Sequence, residues 1–191
     1  SILQYEPVLN QIAALYDPNE HETHYEYDPK GNLTKLWRPF NYVDRVENAY
    51  TYDSSGQRLT ASDPLGRQTS FSYDAHGNVV SVTDPLGNKT TAVYDALSRP
   101  TSITDANNHT THLTWDAGDR LAKVTDALGR ETAYTYDGNG NVTAVTDPEG
   151  NTTRFAYDEV GNITQATDPL GNVTRYNPKA LVIEAASPVT V

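Results

Sequence analysis

An all-β protein made of antiparallel β-hairpins, each about 21 residues long, is the fold class this sequence predicts. Three observations predict it. The pair Tyr-Asp recurs at Tyr52-Asp53, Tyr73-Asp74, Tyr94-Asp95, Tyr136-Asp137 and Tyr157-Asp158, a 21-residue beat with Trp115-Asp116 in the remaining place. A second series, Asp63, Asp84, Asp105, Asp126, Asp147 and Asp168, keeps the same beat and is usually followed by Pro and then Gly. Between the two series the residues alternate apolar and polar, the period of a half-buried strand. A fixed period of this size marks one small structural unit copied along the chain.

The copy from Asp63 to Thr83 shows the elements in order. Asp63-Pro64-Leu65-Gly66 is a turn, with Pro presetting φ and Gly where φ is positive. Arg67 to Tyr73 is the first strand, with Thr69, Phe71 and Tyr73 on one face and Gln68, Ser70 and Ser72 on the other. Asp74-Ala75-His76-Gly77 is a second turn of the same chemistry, and Asn78 to Thr83 is a short β-branched strand leading to Asp84. Each repeat is therefore a hairpin, and successive repeats make a long meander.

The columns support the face assignment. One column reads Phe71, Ala92, Leu113, Tyr134, Phe155, and its neighbour Tyr73, Tyr94, Trp115, Tyr136, Tyr157. A third is threonine throughout: Thr69, Thr90, Thr111, Thr132 and Thr153. Tyr52, Phe71, Tyr73, Tyr94, Trp115, Tyr134, Tyr136, Phe155 and Tyr157 are thus the candidate inner aromatic face, structural or in contact with cargo. In the second strand the apolar residues stand three apart, as in Val79 and Val82, or Val142 and Val145. Three is the wrong parity for one face of a regular strand. Either a bulge sits there, which is the favoured reading, or the first residue packs beside the turn.

At the N-terminus Val8, Leu9, Ile12, Ala13 and Leu15 resemble one face of a helix. Yet Asp17-Pro18 precedes Tyr27-Asp28 by the interval that separates Asp63 from Tyr73, so residues 8 to 16 read as the second strand of an earlier, incomplete repeat. Between Asp17 and Asp63 lie two periods plus four residues, and the excess is placed in a longer loop near 37–48, beginning at Trp37-Arg38-Pro39-Phe40-Asn41-Tyr42. The array is expected to run over residues 1–179. Residues 180–191 are off-pattern and read as a capping strand, a partner-pairing segment or a disordered end.

Composition removes several classes. There is no cysteine, hence no disulfide framework and no thiolate chemistry. Methionine is absent even at position 1, so an excised fragment or a processed product is expected. No run has the length of a membrane span and no signal peptide is visible. A net charge of −11 repels phosphates and argues against nucleic acid as a partner. The repeated Asp residues read as turn caps rather than as calcium ligands, since the Gly-Gly-x-Gly-x-Asp nonapeptide is missing.

Catalytic signals are missing too. His21-Glu22-Thr23-His24 has its histidines three apart, not the four a zinc-protease helix needs. His76, His109 and His112 fall on turn and polar-face positions, and no serine lies in a nucleophile elbow. A residue copied in every repeat is a poor catalyst, because an active site is one unique arrangement. No enzyme activity, cofactor or metal is expected. The aromatic columns could stack sugar rings or hold a polypeptide, but their first duty is to serve as the sheet's apolar surface.

The motif Asp-Pro-Leu-Gly-Asn-x-Thr-x-Tyr-x-Tyr-Asp-x-x-Gly-Asn resembles the YD repeats of bacterial Rhs proteins, which also occur in insect toxin complexes, wall-associated proteins and teneurins. Asp84-Pro85-Leu86-Gly87-Asn88, Tyr136-Asp137-Gly138-Asn139-Gly140-Asn141-Val142 and Asp168-Pro169-Leu170-Gly171-Asn172 carry the likeness, which spans roughly residues 5 to 176. The resemblance implies a strip of curled sheet belonging to a β-cocoon shell. It implies an enclosed toxin domain, export from a bacterial producer as a polymorphic toxin or type VI secretion effector in bacterial competition, and delivery outside the cell. The family's closing Gly-rich segment and self-cleaving Asp have no counterpart here, so no autoproteolytic role is carried over. A long flat sheet cannot bury its own aromatic face. The expected partners are therefore other segments of the same shell, or identical chains, by edge-strand pairing. The alternative is an extracellular module that binds carbohydrate or a receptor on its aromatic and threonine face.

Overall fold

The computed structural model describes residues 2–19, 21–39 and 45–177. These residues form strands and turns without a helix. The chain divides into two compact units, residues 1–109 and 110–191.

The first unit holds β1 (Ile2–Tyr5), β2 (Ile12–Tyr16), β3 (Glu22–Tyr27), β4 (Leu33–Pro39), β5 (Arg45–Tyr52), β6 (Arg58–Ser62), β7 (Gln68–Tyr73), β8 (Val79–Thr83), β9 (Lys89–Tyr94) and β10 (Pro100–Thr104). Each pairs antiparallel with the next. The second holds β11 (Thr110–Trp115), β12 (Leu121–Thr125), β13 (Glu131–Tyr136), β14 (Val142–Thr146), β15 (Thr152–Tyr157), β16 (Ile163–Thr167) and β17 (Val173–Arg175), paired in the same way. The predicted all-β array of antiparallel hairpins is the fold.

One turn chemistry serves every described hairpin turn from Asp17 onward. In the Asp63 turn the Asp63 N–H donates to the Arg67 carbonyl at 3.0 Å, and the Gly66 N–H donates back to the Asp63 carbonyl at 2.9 Å. Asp63 Oδ1 accepts the N–H groups of Leu65 and Arg67, and Oδ2 accepts from the Arg67 guanidinium. The Asp74 turn repeats these bonds with Asn78 in place of Arg67. The fourth residue of the turn has positive φ, +75° at Gly66 and +88° at Gly77, a region that costs glycine nothing. Ser98, Asn108 and Asp119 adopt it at their places with φ of 61°, 64° and 61°.

The two kinds of hairpin differ in register. Across the Asp-Pro turns the ladder is regular, as in Thr60↔Ser70, Ala61↔Thr69 and Ser62↔Gln68. Across the Tyr-Asp turns every ladder slips by one residue. Tyr73 faces Val79, yet Ser72 faces Ser81 and Phe71 faces Val82, leaving Val80 as an extra residue. The same bulge recurs beside Tyr27, Tyr52, Tyr94, Trp115, Tyr136 and Tyr157. It answers the parity question: with one residue inserted, valines three apart both face the aromatic side.

Three expectations change at the ends. Val8 and Leu9 lie in a turn rather than in a strand, and β1 precedes them, so the first repeat has both its strands. The extra residues between Asp17 and Asp63 do not simply make a loop over 37–48. Trp37–Pro39 extend β4 and 45–48 begin β5, giving strands of 7 and 8 residues where a regular copy has 5 and 6. A longer hairpin arm adds ladder bonds that an open loop would forgo. Residues 40–44 of the expected loop and the 180–191 segment lie outside the described residues.

Among the described residues no hydrophobic core forms: only Ala14 and Thr23 are buried, at 2% and 7% exposure. The sheet of each unit is a single layer, and a layer without a second element leaves its apolar face half-exposed.

Candidate functional site

The aromatic face is assembled by the register just described. In the first unit Tyr52, Phe71, Tyr73 and Tyr94 stand half-buried on one face with Val79 and Val82. In the second unit Trp115, Tyr134, Tyr136, Phe155 and Tyr157 stand half-buried on one face with Leu113, Leu121, Val124, Val142 and Val145. The nine candidates therefore fall on one face within each unit. Tyr25, Tyr27 and Tyr50 share that face in the first unit and were absent from the candidates. Tyr27-Asp28 carried the same dipeptide signal, displaced from the beat by the longer hairpin. On this face burial, and then the neighbouring Tyr25, raise the Tyr27 phenol above its usual range.

Six tyrosine hydroxyls of this face are bonded to the backbone of the preceding repeat. Tyr73 donates to the Arg58 carbonyl at 2.8 Å, Tyr94 to Val79 at 3.0 Å, Tyr136 to Leu121 at 2.7 Å and Tyr157 to Val142 at 2.8 Å. Tyr52 and Tyr27 bond in the same way to Leu33 and Ile12. Each acceptor is the residue paired with the Tyr or Trp of the preceding hairpin, next to the extra residue of the bulge and just beyond the end of the ladder between the two repeats. The Tyr of each repeat thus satisfies a carbonyl that the bulge releases, and a released carbonyl left without a partner is costly. Guanidinium groups lie over two of the rings, Arg58 over Tyr50 and Arg120 over Tyr136, both at 4.8 Å from the ring centre.

Charge is sorted by position. The chain carries −11, yet no Asp or Glu is registered on the aromatic face of any described strand, where the charged residues are Arg38 and Arg58. The opposite face is rich in small hydroxyls that pair across strands, such as Thr51 with Thr60 at 2.6 Å, Ser72 with Ser81 at 2.6 Å and Thr135 with Thr143 at 2.9 Å. That face also holds Glu22, Glu26, Glu47 and Glu131, and its aromatic pair His24–Trp37, stacked at 3.9 Å. The first aspartate of each described turn is a turn cap. The Asn amides at the end of their turns, helped by backbone N–H groups, hold the carboxyls of Asp84, Asp147 and Asp168 below the usual carboxylate range.

A cavity of about 690 Å³ is lined by Leu15, Asp17, His21, Glu22, Thr23, Arg38 and Pro39. Its polar groups bond one another: His21 Nδ1 to Asp17 at 2.8 Å, and Arg38 Nε to Thr23 at 3.0 Å. His24 points to the other face, where it meets Glu22 at 2.8 Å. Among the described residues no three His, Asp or Glu side chains converge as metal ligands.

The RHS repeat family model matches residues 52–89, 94–132, 115–152 and 136–173, more than half of the chain. The chain belongs to the RHS repeat family. No curated protein matches it. Among solved structures it is similar to the TcdB2-TccC3-Cdc42 crystal structure, with TM-score 0.71 and 16% identity over 87% of this chain. The Photorhabdus luminescens Tc holotoxin pore, carrying a substitution in TccC3, matches with TM-score 0.68 and 17% identity over 83% of this chain. The TcdB2-TccC3 crystal structure matches at the same score and identity. This chain spans about a tenth of the length of those chains, covering 9–10% of them. At such identities the likeness establishes the fold: a run of antiparallel hairpins also present in the Tc toxin structures.

Proposed function

We propose that this chain is a non-catalytic wall segment of a toxin-enclosing shell, part of a polymorphic toxin or effector exported from a bacterial cell. The carrying observation is the aromatic face. In a chain of net charge −11, every described strand keeps carboxylates off that face, and six tyrosine hydroxyls there are consumed by the preceding repeat. Such a face offers apolar surface to a polypeptide cargo, while turn carboxylates and strand hydroxyls solvate the rest. The nine aromatic candidates are thus wall first and cargo contact second, and the turn aspartates are structural caps rather than acids or bases. Partners follow from the open edges: β1 and β17 each bond to one strand among the described residues, and other shell segments or identical chains would pair with them. The array is proposed to cover residues 1–179, with residues 180–191 as a capping or partner-pairing segment.

The competing reading is an extracellular module that binds carbohydrate or a receptor. A sugar site needs free hydrogen-bonding groups beside its stacking rings, and here six of the tyrosine hydroxyls are engaged. Two measurements separate the readings. Determining the complete reading frame should reveal an adjoining toxin domain, and a complete frame without one removes the shell assignment. Glycan-array binding that is lost in Trp115→Ala and Tyr136→Ala would instead establish the carbohydrate module.

A further inference from the structure

β1 is built like an interior strand but pairs on one side only. Tyr5 faces Ile12, Gln4 faces Ala14, and Ala13 is the extra residue, so the β1–β2 hairpin has the bulge of a Tyr-Asp hairpin. Its turn closes in the same manner, with Glu6 in the place of the aspartate. The Glu6 N–H donates to the Gln11 carbonyl at 2.7 Å, and the Glu6 carboxylate accepts the N–H groups of Val8 and Leu9. Leu3 stands two residues before Tyr5, as Phe155 stands before Tyr157.

Seven described tyrosines, Tyr5, Tyr27, Tyr52, Tyr73, Tyr94, Tyr136 and Tyr157, pair with the residue next to a bulge. Six of them donate their hydroxyl to a backbone carbonyl of the preceding repeat. Tyr5 is the seventh. Its hydroxyl has no partner among the described residues, and the side chain is 53% exposed where the other six are half-buried.

We propose that the outer edge of β1 is a docking site for one kind of strand: the bulged second strand of a Tyr-Asp hairpin, from an RHS repeat outside residues 1–191. In the register of the interior junctions that strand pairs its backbone with β1 and lays apolar residues beside Leu3 and Tyr5. The Tyr5 hydroxyl then donates to the carbonyl that its bulge releases. The bulge makes the site selective, because successive carbonyls of a regular strand alternate between its edges and an extra residue leaves one more on the outer side. A second copy of this chain does not supply such a strand. The extra residue of the β1–β2 pair lies on β2, and the β16–β17 ladder is regular, so neither edge strand is bulged. The carbonyl of Ile163, beside the last bulge, holds no tyrosine among the described residues, but β17 already lies along that strand. Two β1 edges can share backbone bonds and still leave Tyr5 without an acceptor. Docking of this kind rests on the wall reading, which supplies further repeats, and not on what the wall encloses.

A second copy of residues 131–152 joined ahead of Ser1 provides the strand, because its Val142 then lies 15 residues before Tyr5, the interval between Val142 and Tyr157. Amide hydrogen exchange of residues 2–5 is measured in this extended chain and in the unextended one, each with Tyr5 and with Tyr5→Phe. Circular dichroism first verifies the strand content of all four. The extension should slow exchange at residues 2–5 by about ten-fold or more. Tyr5→Phe should speed it again by about five-fold in the extended chain, and by less than about two-fold in the unextended one. No added protection from the extension, or a Tyr5→Phe effect equal in both chains or absent from both, overturns the proposal. So does a Tyr5→Phe effect in the unextended chain that grows with protein concentration, which assigns the site to a second copy. None of these results bears on the enclosing function, which the complete reading frame and the glycan array test separately.

Discussion

Two residue types hold each repeat, and their jobs are separable. The turn Asp is a hydrogen-bond hub, accepting two backbone N–H groups and, in most turns, a side chain. The folded carboxyl titrates below its unfolded value, so its contribution is present above the unfolded pKa and is lost as pH falls through the depressed folded one. The denaturation midpoint should accordingly fall steeply below about pH 4, where carboxylates titrate, and stay flat from there to neutrality. Denaturant titrations at pH 7, 5 and 3 check it; a midpoint that rises toward pH 3 contradicts the turn assignment. The hydroxyl of Tyr136 fills a different need, the Leu121 carbonyl at the bulge. Tyr136→Phe should cost about 1 kcal/mol by denaturation, with strand content unchanged. Ser98, at φ 61° in a place that glycine usually fills, is a strained choice. Ser98→Gly should raise stability by up to about 1 kcal/mol in the same measurement.

At the scale of the element, the bulge decides what each hairpin displays. Thr143 is the extra residue between Tyr136↔Val142 and Thr135↔Ala144. Deleting it leaves Val142 and Val145 two apart, the spacing of one face in a regular strand, so both keep the aromatic side and the Thr135–Thr143 hydroxyl pair is what is lost. A cost of about 1 kcal/mol or less is expected, seen as a slightly lowered unfolding midpoint, and Thr143→Ser should be near neutral. The turns and first strands of these hairpins were legible in the sequence, since Asp-Pro-x-Gly and Thr-x-Phe-x-Tyr state their geometry locally. The second strand was not. Val79 and Val82 signal an irregularity through their spacing, but only pairing with Tyr73 and Phe71 shows where the extra residue lies. The long hairpin of β4 and β5 was missed for a related reason: four added residues can extend two arms or one loop, and composition does not choose between them.

For the molecule as a whole, the main fact is a sheet without a core. Among the described residues only Ala14 and Thr23 are buried, so stability comes from ladders, cross-strand pairs and turn bonds repeated along the chain. β1 is the vulnerable place, with Ile2, Leu3 and Tyr5 at 67%, 45% and 53% exposure and no charge or proline in the strand. The isolated chain should self-associate through it. Leu3→Lys is expected to reduce the high-mass fraction in light scattering by about half or more without altering the circular dichroism spectrum.

The sequence by itself determined the repeat, the two turns, the face on which the aromatics stand and the absence of a recognisable catalytic constellation. These are local matters, written within one 21-residue period by residues whose conformational needs do not depend on neighbours. The tertiary structure alone decided what joins one period to the next. The tyrosine hydroxyl finds its carbonyl 15 residues back, and the bulge aligns valines of opposite parity. The physical reason is that a backbone carbonyl released by a bulge must be satisfied by whatever strand lies beside it, and that neighbour exists only once the chain has paired.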